Sequence, residues 1–336
     1  MNPTAGSFVI NPRLQRLFAT FAIGFPSAES LNTIYSTFLG GHLKNFSEDV
    51  REQSKKIGSL QLHKRVVSSF RKSAVCFHYE FNIRHLAGIF QGMLMARPEQ
   101  IKDGMKLAQL WLHESERIYS DRLVSLADQK KYKELAIEQS KKYFKEFSPT
   151  QLFADPLIFC HFAGGMGEKM YDKATSFADL SSLLAGALSE YNEVQAVMDL
   201  VLFEDGESHI SNRPVAIRHI SRISRIIESP GGHGLLVGVG GSGKQSLSKL
   251  ATFVAGYSVS QIVISAGYGV NDLKADLQQM YRKAGIKQEG ISFLFTDSQI
   301  TDEKFLVFMN DLLSSGNIPG LFPPEVRSRF DLLMGG

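Results

Sequence analysis

A short glycine-rich segment, GVGGSGK at residues 238–244, constrains the fold of this 336-residue chain more than any other feature. It follows an apolar run at 235–239 and precedes a segment with helical spacing at 244–254. The pattern Gly-x-x-x-x-Gly-Lys between a strand and a helix is typical of a phosphate-binding loop. Glycines let the backbone turn its N–H groups toward phosphate oxygens, and the helix N-terminus faces the same anion. The alternative, a glycine-rich turn with a chance lysine, explains neither flank.

This loop carries the first candidate site, which is predicted to bind ATP or ADP. Its residues are Gly238, Val239, Gly240, Gly241, Ser242, Gly243, Lys244, Gln245 and Ser246. Lys244 supplies a mobile positive charge for the outer phosphates. The next position normally holds Ser or Thr, whose hydroxyl binds Mg²⁺. Gln245 offers an amide oxygen there, which is a longer and weaker ligand. The loop therefore predicts nucleotide binding with a less tightly positioned metal.

Asp297 is the candidate Mg²⁺ ligand. It follows an apolar run at 291–296 and lies 297 − 244 = 53 residues after Lys244. A carboxylate at such a strand end helps to hold Mg²⁺, and the alternative is an ordinary acidic cap. Ser298 comes next, where a hydrolysing AAA-type ATPase usually has a Glu that orients the attacking water. Because a serine hydroxyl cannot accept that proton at neutral pH, the sequence predicts little or no hydrolysis.

Two other functions stay open from the same residues. An active P-loop NTPase or nucleotide kinase requires a catalytic carboxylate from elsewhere in the chain, for example Asp302 or Glu303. A non-enzymatic helical scaffold requires only that the loop stays empty. Loss of activity on changing Glu303 distinguishes the first alternative, and the absence of any nucleotide effect on melting distinguishes the second.

Composition and charge argue against several other classes. Apolar residues make up 43 % and charged residues 21 %, as in ordinary globular proteins. The net charge is 37 − 34 = +3, and the lysines at 130–145 are interleaved with glutamates, so we expect a solvated helix face and no nucleic-acid partner. Cys76 and Cys160 are too few for a disulfide framework or a four-cysteine zinc site, and they fit a reducing compartment. No apolar run approaches the ~18 residues of a membrane helix, and the N-terminus lacks a secretory pattern.

Apolar spacing predicts a mainly helical part over residues 26–148. Ser27 or Ser30 is expected to cap its first helix, Asn82 to begin another, and Pro98 to occupy the first turn of a third. A short buried strand is expected just before this part, at 18–25.

The rest of the chain is predicted to form an α/β structure. From residue 231 on, apolar strands at 235–239, 262–264 and 291–296 alternate with helices, one of them capped by Asn271. Continuous apolar strands joined by helices indicate a parallel sheet. We expect that sheet to be incomplete.

The segments GVGGSGKQSL and FLFTDSQI together resemble the fourth AAA+ module of an axonemal dynein heavy chain. The opening MNPTAGSFVINPRLQRLFATFAIGFP resembles the late part of the third module, which implies that Asn2 is its sensor-one residue and Arg16 its arginine finger. HYEFNIRHLAGIFQGML resembles the sensor-two helix of that module, which makes Arg84 a phosphate-facing arginine. From the residues alone, the alternatives stay open that Asn2 is a turn residue beside Pro3 and that both arginines are ordinary surface residues.

The resemblance implies a division of the chain into four parts. These are the end of the third large subdomain (1–25), its helical small subdomain (26–148), a connector with the first helices of the fourth module (149–230), and a truncated P-loop core (231–336). It also implies a fragment of a minus-end-directed microtubule motor of cilia and flagella, located in the cytoplasm and cytoskeleton at the axoneme. The expected partners are the other AAA+ modules, microtubules, and dynein intermediate and light chains, with no membrane. The isolated chain is expected to generate no movement along a microtubule. Its nucleotide site is expected to have a regulatory role.

Overall fold

The chain folds into a helical part followed by a smaller α/β part. The computed structural model of the protein describes residues 11–19, 21, 23–167, 169–195 and 213–323. Asn2, the expected sensor residue, lies outside the described residues. None of the helices in the described ranges is long and apolar enough to cross a membrane.

Serine, asparagine and aspartate side chains begin most helices of the first part. Each accepts a hydrogen bond from a backbone N–H of the first turn, which satisfies a donor that the helix itself cannot. After α1 (Pro12–Gln15), the helices are α2 (Ala28–His42), α3 (Glu48–Lys55), α4 (Ser59–Ser69), α5 (Ile83–Met93), α6 (Gly104–Ile118), α7 (Leu126–Tyr143) and α8 (Pro149–Leu152). Ser27 caps α2, so the first of the two predicted caps is the correct one. Asn82 caps α5, as predicted.

The predicted start of α6 at Pro98 is wrong. The helix begins at Gly104, and Pro98 lies in a turn before it. The Asp103 carboxylate accepts a hydrogen bond from the Lys106 N–H at 2.7 Å. An aspartate cap with a bonded first turn defines the start better than a proline, which only tolerates that position.

Helix α6 is the centre of the first hydrophobic core. Trp111 is fully buried in it, stacks at a tilt against Phe144 of the α7 end, and donates its indole N–H to the Ser59 hydroxyl at 2.7 Å. Side chains from α2 to α8 pack around it. The lysines at 130, 131, 133, 141, 142 and 145 are all exposed on or just after α7. The predicted solvated face is therefore confirmed.

A second hydrophobic core is formed by residues between 158 and 254. Strand β1 (Phe159–Cys160) pairs antiparallel with β2 (Asp172–Lys173). Helices α9 (Phe177–Gln195), α10 (Arg213–Glu228) and α11 (Lys244–Val254) pack against them and one another. Cys160 is buried here, and burial raises the pKa of its thiol to about 12. Cys76 is half-buried against the first core.

The α/β part has a parallel strand pair, as predicted. Strand β3 (Ser258–Ser260) pairs in parallel with β4 (Ile291–Phe293), in the register Ser258 opposite Ile291. Helix α12 (Val270–Ile286) connects them, and α13 (Lys304–Ser315) follows β4. The two helices and the strand pair enclose a third apolar core.

Four predicted strands differ from the structure. Residues 235–239 and the described residues of 18–25 form no strand, β3 lies at 258–260 rather than at 262–264, and β4 covers only 291–293 of the predicted 291–296. A strand requires a hydrogen-bonded neighbour, and no other described segment pairs with 235–239 or with residues 21 and 23–25. The side chains of Leu235, Val237 and Val239 are consequently 91 %, 87 % and 82 % exposed.

The start of α12 also differs from the prediction. Gly269 precedes the helix, and its N–H donates to the Asp272 carboxylate at 2.8 Å. Asn271 lies within the first turn and is not the cap. This bond from the Gly269 N–H to Asp272 fixes the start two residues earlier than the asparagine suggested.

Candidate nucleotide site

The loop at 238–243 passes directly into the N-terminus of α11. Gly241 and Gly243 have φ angles of +78° and +73°, a left-handed conformation that residues with a Cβ adopt at a cost. The Ser242 N–H donates to the Val239 carbonyl at 3.3 Å and closes the turn. Residues 238–242 are exposed. The glycines predicted to shape this loop therefore do so at two positions where the backbone requires them.

Lys244 reaches back across the loop. Its ammonium donates to the carbonyl oxygens of Gly238 and Val239, both at 2.7 Å, and to the Ser242 hydroxyl at 3.2 Å. These bonds hold the positive charge over the loop rather than out in solvent. A Cβ added at Gly238 would lie 3.2 Å from the Ser242 hydroxyl and 3.7 Å from the Lys244 side chain. A larger residue at the first position of the loop would therefore require the Ser242 side chain to shift.

The backbone donors of the loop fit a phosphate group. The N–H groups of Gly241, Gly243 and Lys244 have no acceptor in the described part of the chain, and neither do those of the next two residues, since they open a helix. The Lys244 charge and the positive end of the α11 dipole add to these free donors, and such a combination favours an anion. Gln245 is exposed and Ser246 half-buried in the first turn.

Asp297 and Ser298 lie on a single 3₁₀ turn, Asp297–Gln299, which follows β4 after three residues. Both are exposed. Among the described residues, the Asp297 carboxylate makes no hydrogen bond or ion pair. The Ser298 hydroxyl lies 3.0 Å from the Thr296 hydroxyl. A free, exposed carboxylate beside two hydroxyls is a donor set that a hard cation such as Mg²⁺ accepts.

In the described residues, no hydrogen bond or ion pair joins the Asp297 turn to the loop at 238–246, nor any other predicted site residue to either of them. Asp302 accepts the Lys304 N–H at 2.9 Å and so holds the start of α13. Glu303 is exposed at the position before that helix. Arg16 ends the short helix α1 and is exposed, and Arg84 is exposed in the first turn of α5. In the described residues, neither arginine side chain bonds to the loop or to Asp297.

Comparison with known proteins decides the family. Residues 198–330 match the sequence model described as the P-loop containing dynein motor region D4, and residues 57–154 match an AAA+ lid domain. The chain is 55 % identical over 333 residues to the dynein alpha chain of the flagellar outer arm from Chlamydomonas reinhardtii. It is 49 % identical over 326 residues to dynein axonemal heavy chain 17 from Homo sapiens and 47 % identical over 329 to the ciliary dynein beta chain from Tripneustes gratilla.

The chain is homologous to axonemal dynein heavy chains over almost its whole length. The three matches cover 97 %, 96 % and 97 % of this chain and 7 % of each relative. The chain therefore spans a small part of the length of the dynein heavy chains that it matches. Within it, the lid domain contains α4 to α8, and motor region D4 contains α10 to α13, with the loop and the Asp297 turn.

A buried ionic cluster at the junction of lid and D4 was missed by sequence reasoning. Glu114 of α6 is fully buried and binds the Arg225 guanidinium of α10 and the Tyr171 hydroxyl. The second Arg225 contact, from Nε to the Glu114 Oε2, measures 3.1 Å. Burial disfavours the charge on Arg225, but the Glu114 and Tyr171 oxygens outweigh it and raise the pKa of that guanidinium. Burial also raises the pKa of the Tyr171 hydroxyl, so the phenol stays protonated and donates to Glu114.

This cluster extends along one face of α10. Three arginines, spaced by four and three residues, pair with carboxylates of the lid or the residue just after it: Arg218 with Asp155, Arg222 with Asp121, and Arg225 with Glu114. That spacing is the one available sequence signal, because such residues share a helix face. Since α10 packs along α11, whose first residue is Lys244, the cluster connects the dynein lid to the helix that carries the phosphate loop.

Proposed function

We propose that the D4 loop of this chain binds ATP or ADP with Mg²⁺. The observation that carries the proposal is the arrangement at the start of α11, where the loop has unpaired N–H groups and the Lys244 ammonium is held over it by the Gly238 and Val239 carbonyls. In the proposal, residues 238–246 bind the phosphates and Asp297 supplies a ligand to the metal. The bound metal would neutralise phosphate charge, and the chain's own role is to position both groups.

We further propose that this site hydrolyses ATP slowly or not at all. Ser298 occupies the place expected for the catalytic base, and a hydroxyl has no capacity to take a proton at neutral pH. Asp302, one of the two alternative carboxylates, is engaged at the start of α13. Glu303 is the alternative that has no such bond, and it is the residue to test for an active NTPase.

For the whole protein, the relatives support a role in a microtubule motor. We propose that this chain is part of a minus-end-directed motor of cilia and flagella, located at the axoneme within the cytoskeleton. Its partners would be the other AAA+ modules of the same heavy chain, microtubules, and intermediate and light chains. Residues 1–148 would belong to the third module, with Asn2 as sensor one, Arg16 as arginine finger and Arg84 as sensor two. The fourth-module nucleotide would then be regulatory, stiffening the ring and coupling its modules.

Thermal melting of the 336-residue chain with and without Mg-ATP and Mg-ADP tests nucleotide binding. At a ligand concentration of 100 times the dissociation constant, we expect the free energy of unfolding to rise by about 2.7 kcal/mol. Lys244→Ala is expected to abolish this increase. Lys249→Ala, five residues further along α11, is the matched control and is expected to keep it. An equal nucleotide effect in both variants would contradict the assignment of the loop.

Phosphate release tests the second half of the proposal. We expect the wild-type chain to release phosphate from Mg-ATP at a rate indistinguishable from Lys244→Ala. Steady release that Glu303→Gln abolishes would instead support an active NTPase.

A further inference from the structure

The β3–β4 pair ends before the turn that bears Asp297. The last backbone bond between the two segments runs from the Leu294 N–H to the Ser260 carbonyl at 2.8 Å. Beyond it, both segments continue without a backbone bond joining them. The next connection is made by a side chain: the Gln299 amide nitrogen donates to the Ile262 carbonyl at 2.6 Å. A side-chain amide therefore replaces the backbone rung at the point where the sheet stops.

The same amide also closes its own turn. The Gln299 Oε1 accepts the Thr296 N–H at 2.8 Å, and Thr296 is the residue that precedes Asp297. Gln299 is 6 % exposed and Ile262 is 5 % exposed. Both halves of the amide are thus used, one to hold the turn closed and one to tie it to the neighbouring segment, in a place that excludes water.

We propose that Gln299 is a positioning residue for Asp297. It fixes the turn on which the carboxylate stands, so that the carboxylate meets the metal of a nucleotide bound in the D4 loop. This inference rests on the proposed nucleotide function. Asp297 has no bond of its own within the described residues, and the Gln299 amide is the contact that links its turn to the adjacent segment.

The chemistry of the amide explains why few other side chains would serve. Leucine fills similar space but offers neither donor nor acceptor, so the Ile262 carbonyl and the Thr296 N–H would both lose their partners. Glutamate keeps an acceptor for Thr296 but places a second oxygen against the Ile262 carbonyl. A buried polar group without a partner, or a buried unpaired charge, destabilises the arrangement.

Nucleotide affinity measured by calorimetry in excess Mg²⁺ and again in EDTA tests this role, with ATP as the probe and the 336-residue chain. We expect Gln299→Leu to lower the Mg²⁺-dependent affinity about 10- to 100-fold, the usual cost of losing a group that orients a metal ligand. Affinity in EDTA should stay unchanged. Asp297→Ala should show the same loss, and the double variant no more than Asp297→Ala alone.

Gln278 offers a matched control, because its side-chain nitrogen donates to the Leu321 carbonyl at 2.5 Å on the same module. Gln278→Leu should leave the Mg²⁺ dependence intact. Gln299→Glu, which keeps the Thr296 contact, provides a second variant with the same expected loss if Gln299→Leu does not fold.

Three results would overturn the inference. One is a Gln299 variant with the Mg²⁺ dependence of the wild type, and another is a variant that loses affinity equally in Mg²⁺ and EDTA. In both cases the proposed function stands, provided that the wild type binds ATP and Asp297→Ala loses the Mg²⁺-dependent part. The third is a wild-type chain that binds no ATP, which overturns the proposed function together with the role of Gln299.

Discussion

The lid and the P-loop region of this chain bury their apolar side chains to very different extents. In the lid, Leu62, Leu107 and Trp111 are completely buried around α6. In the segment before the phosphate loop, Leu235 and Val237 are almost fully exposed, although their apolar run is just as clear in the sequence. A helix satisfies its backbone hydrogen bonds within itself, so side-chain packing alone completes the lid. A strand needs a neighbouring segment, and 235–239 has none within the described residues.

The largest expected effect lies at the ionic cluster where the lid meets D4. Glu114→Ala should lower the free energy of unfolding by about 3–5 kcal/mol, because it leaves the Arg225 charge buried without its partner. Glu138→Ala removes the partner of Arg65 from an exposed pair in the lid and should cost about 1 kcal/mol or less. Urea denaturation of both variants measures the difference. Equal costs would show that the cluster does not join the two parts.

Two leucine variants test the contrast in burial directly. Leu107→Ala, in the lid core, should cost about 2–5 kcal/mol because it removes fully packed methyl groups and leaves a cavity. Leu235→Ala, in the exposed segment, should change the free energy of unfolding by less than about 0.5 kcal/mol. Urea midpoints measure both. A cost at Leu235 that approaches the cost at Leu107 would mean that the segment is covered in solution.

Gly92 tests how tightly the lid encloses its buried carboxylate. A Cβ at this position of α5 would overlap the Glu114 carboxylate and approach the Arg225 guanidinium at 2.9 Å. Gly92→Ala should therefore destabilise the chain by about 1–3 kcal/mol. Gly40 lies in the interior of α2 with open space around it, so Gly40→Ala should stabilise by up to about 1 kcal/mol. Thermal melting distinguishes the two, and a stabilising Gly92→Ala would contradict the described packing.

His85 should make a smaller, pH-dependent contribution to the stability of the lid. Burial, followed by the Arg122 charge, lowers the pKa of this imidazole to about 4. Its Nδ1 accepts the Asn82 N–H and so must be unprotonated. His85 therefore binds a proton more readily in the unfolded chain than in the folded one. The stability that neutral His85 contributes is complete above about pH 6.5 and is lost as the pH falls toward 4.

His85→Gln provides the test of that contribution, because glutamine still accepts the Asn82 N–H but does not titrate. Urea midpoints at pH 7 and pH 5 should fall less on acidification in this variant than in the wild type. Identical pH dependence in the two proteins would contradict a titrating role for His85.

The same contrast explains which features the sequence could predict. The starts of α5 and α11 follow from local chemistry, since Asn82 is a cap and the loop glycines define the residue before Lys244. Strand limits depend on pairing with segments far along the chain, and the predicted strand at 262–264 was misplaced for this reason. The Gln299–Ile262 bond spans 37 residues and the Glu114–Arg225 bond spans 111. Neither Gln299 nor Glu114 lies in a local sequence pattern that distinguishes it from an ordinary glutamine or glutamate.

For the candidate nucleotide site too, the sequence predicted the local structure but not the contacts between distant segments. The phosphate loop is a local structure, so its glycine conformations and the helix that follows could be predicted from residues 235–254 alone. The position of Asp297 on a 3₁₀ turn, and the support of that turn by Gln299, arise from the way in which the segments after β3 and β4 lie side by side. The proposed roles of Arg16 and Arg84 depend on residues far from them in the sequence. These roles therefore stay predictions.

The identity of the nucleotide retained by the chain tests the central claim most directly. The 336-residue chain is incubated with Mg-ATP, separated from free nucleotide on a desalting column, and the bound nucleotide is identified by chromatography. We expect about one nucleotide per chain, still largely ATP after prolonged incubation, and none on Lys244→Ala. A wild-type chain without bound nucleotide, or one that converts the added ATP to ADP and phosphate through repeated turnovers, would contradict binding with little hydrolysis.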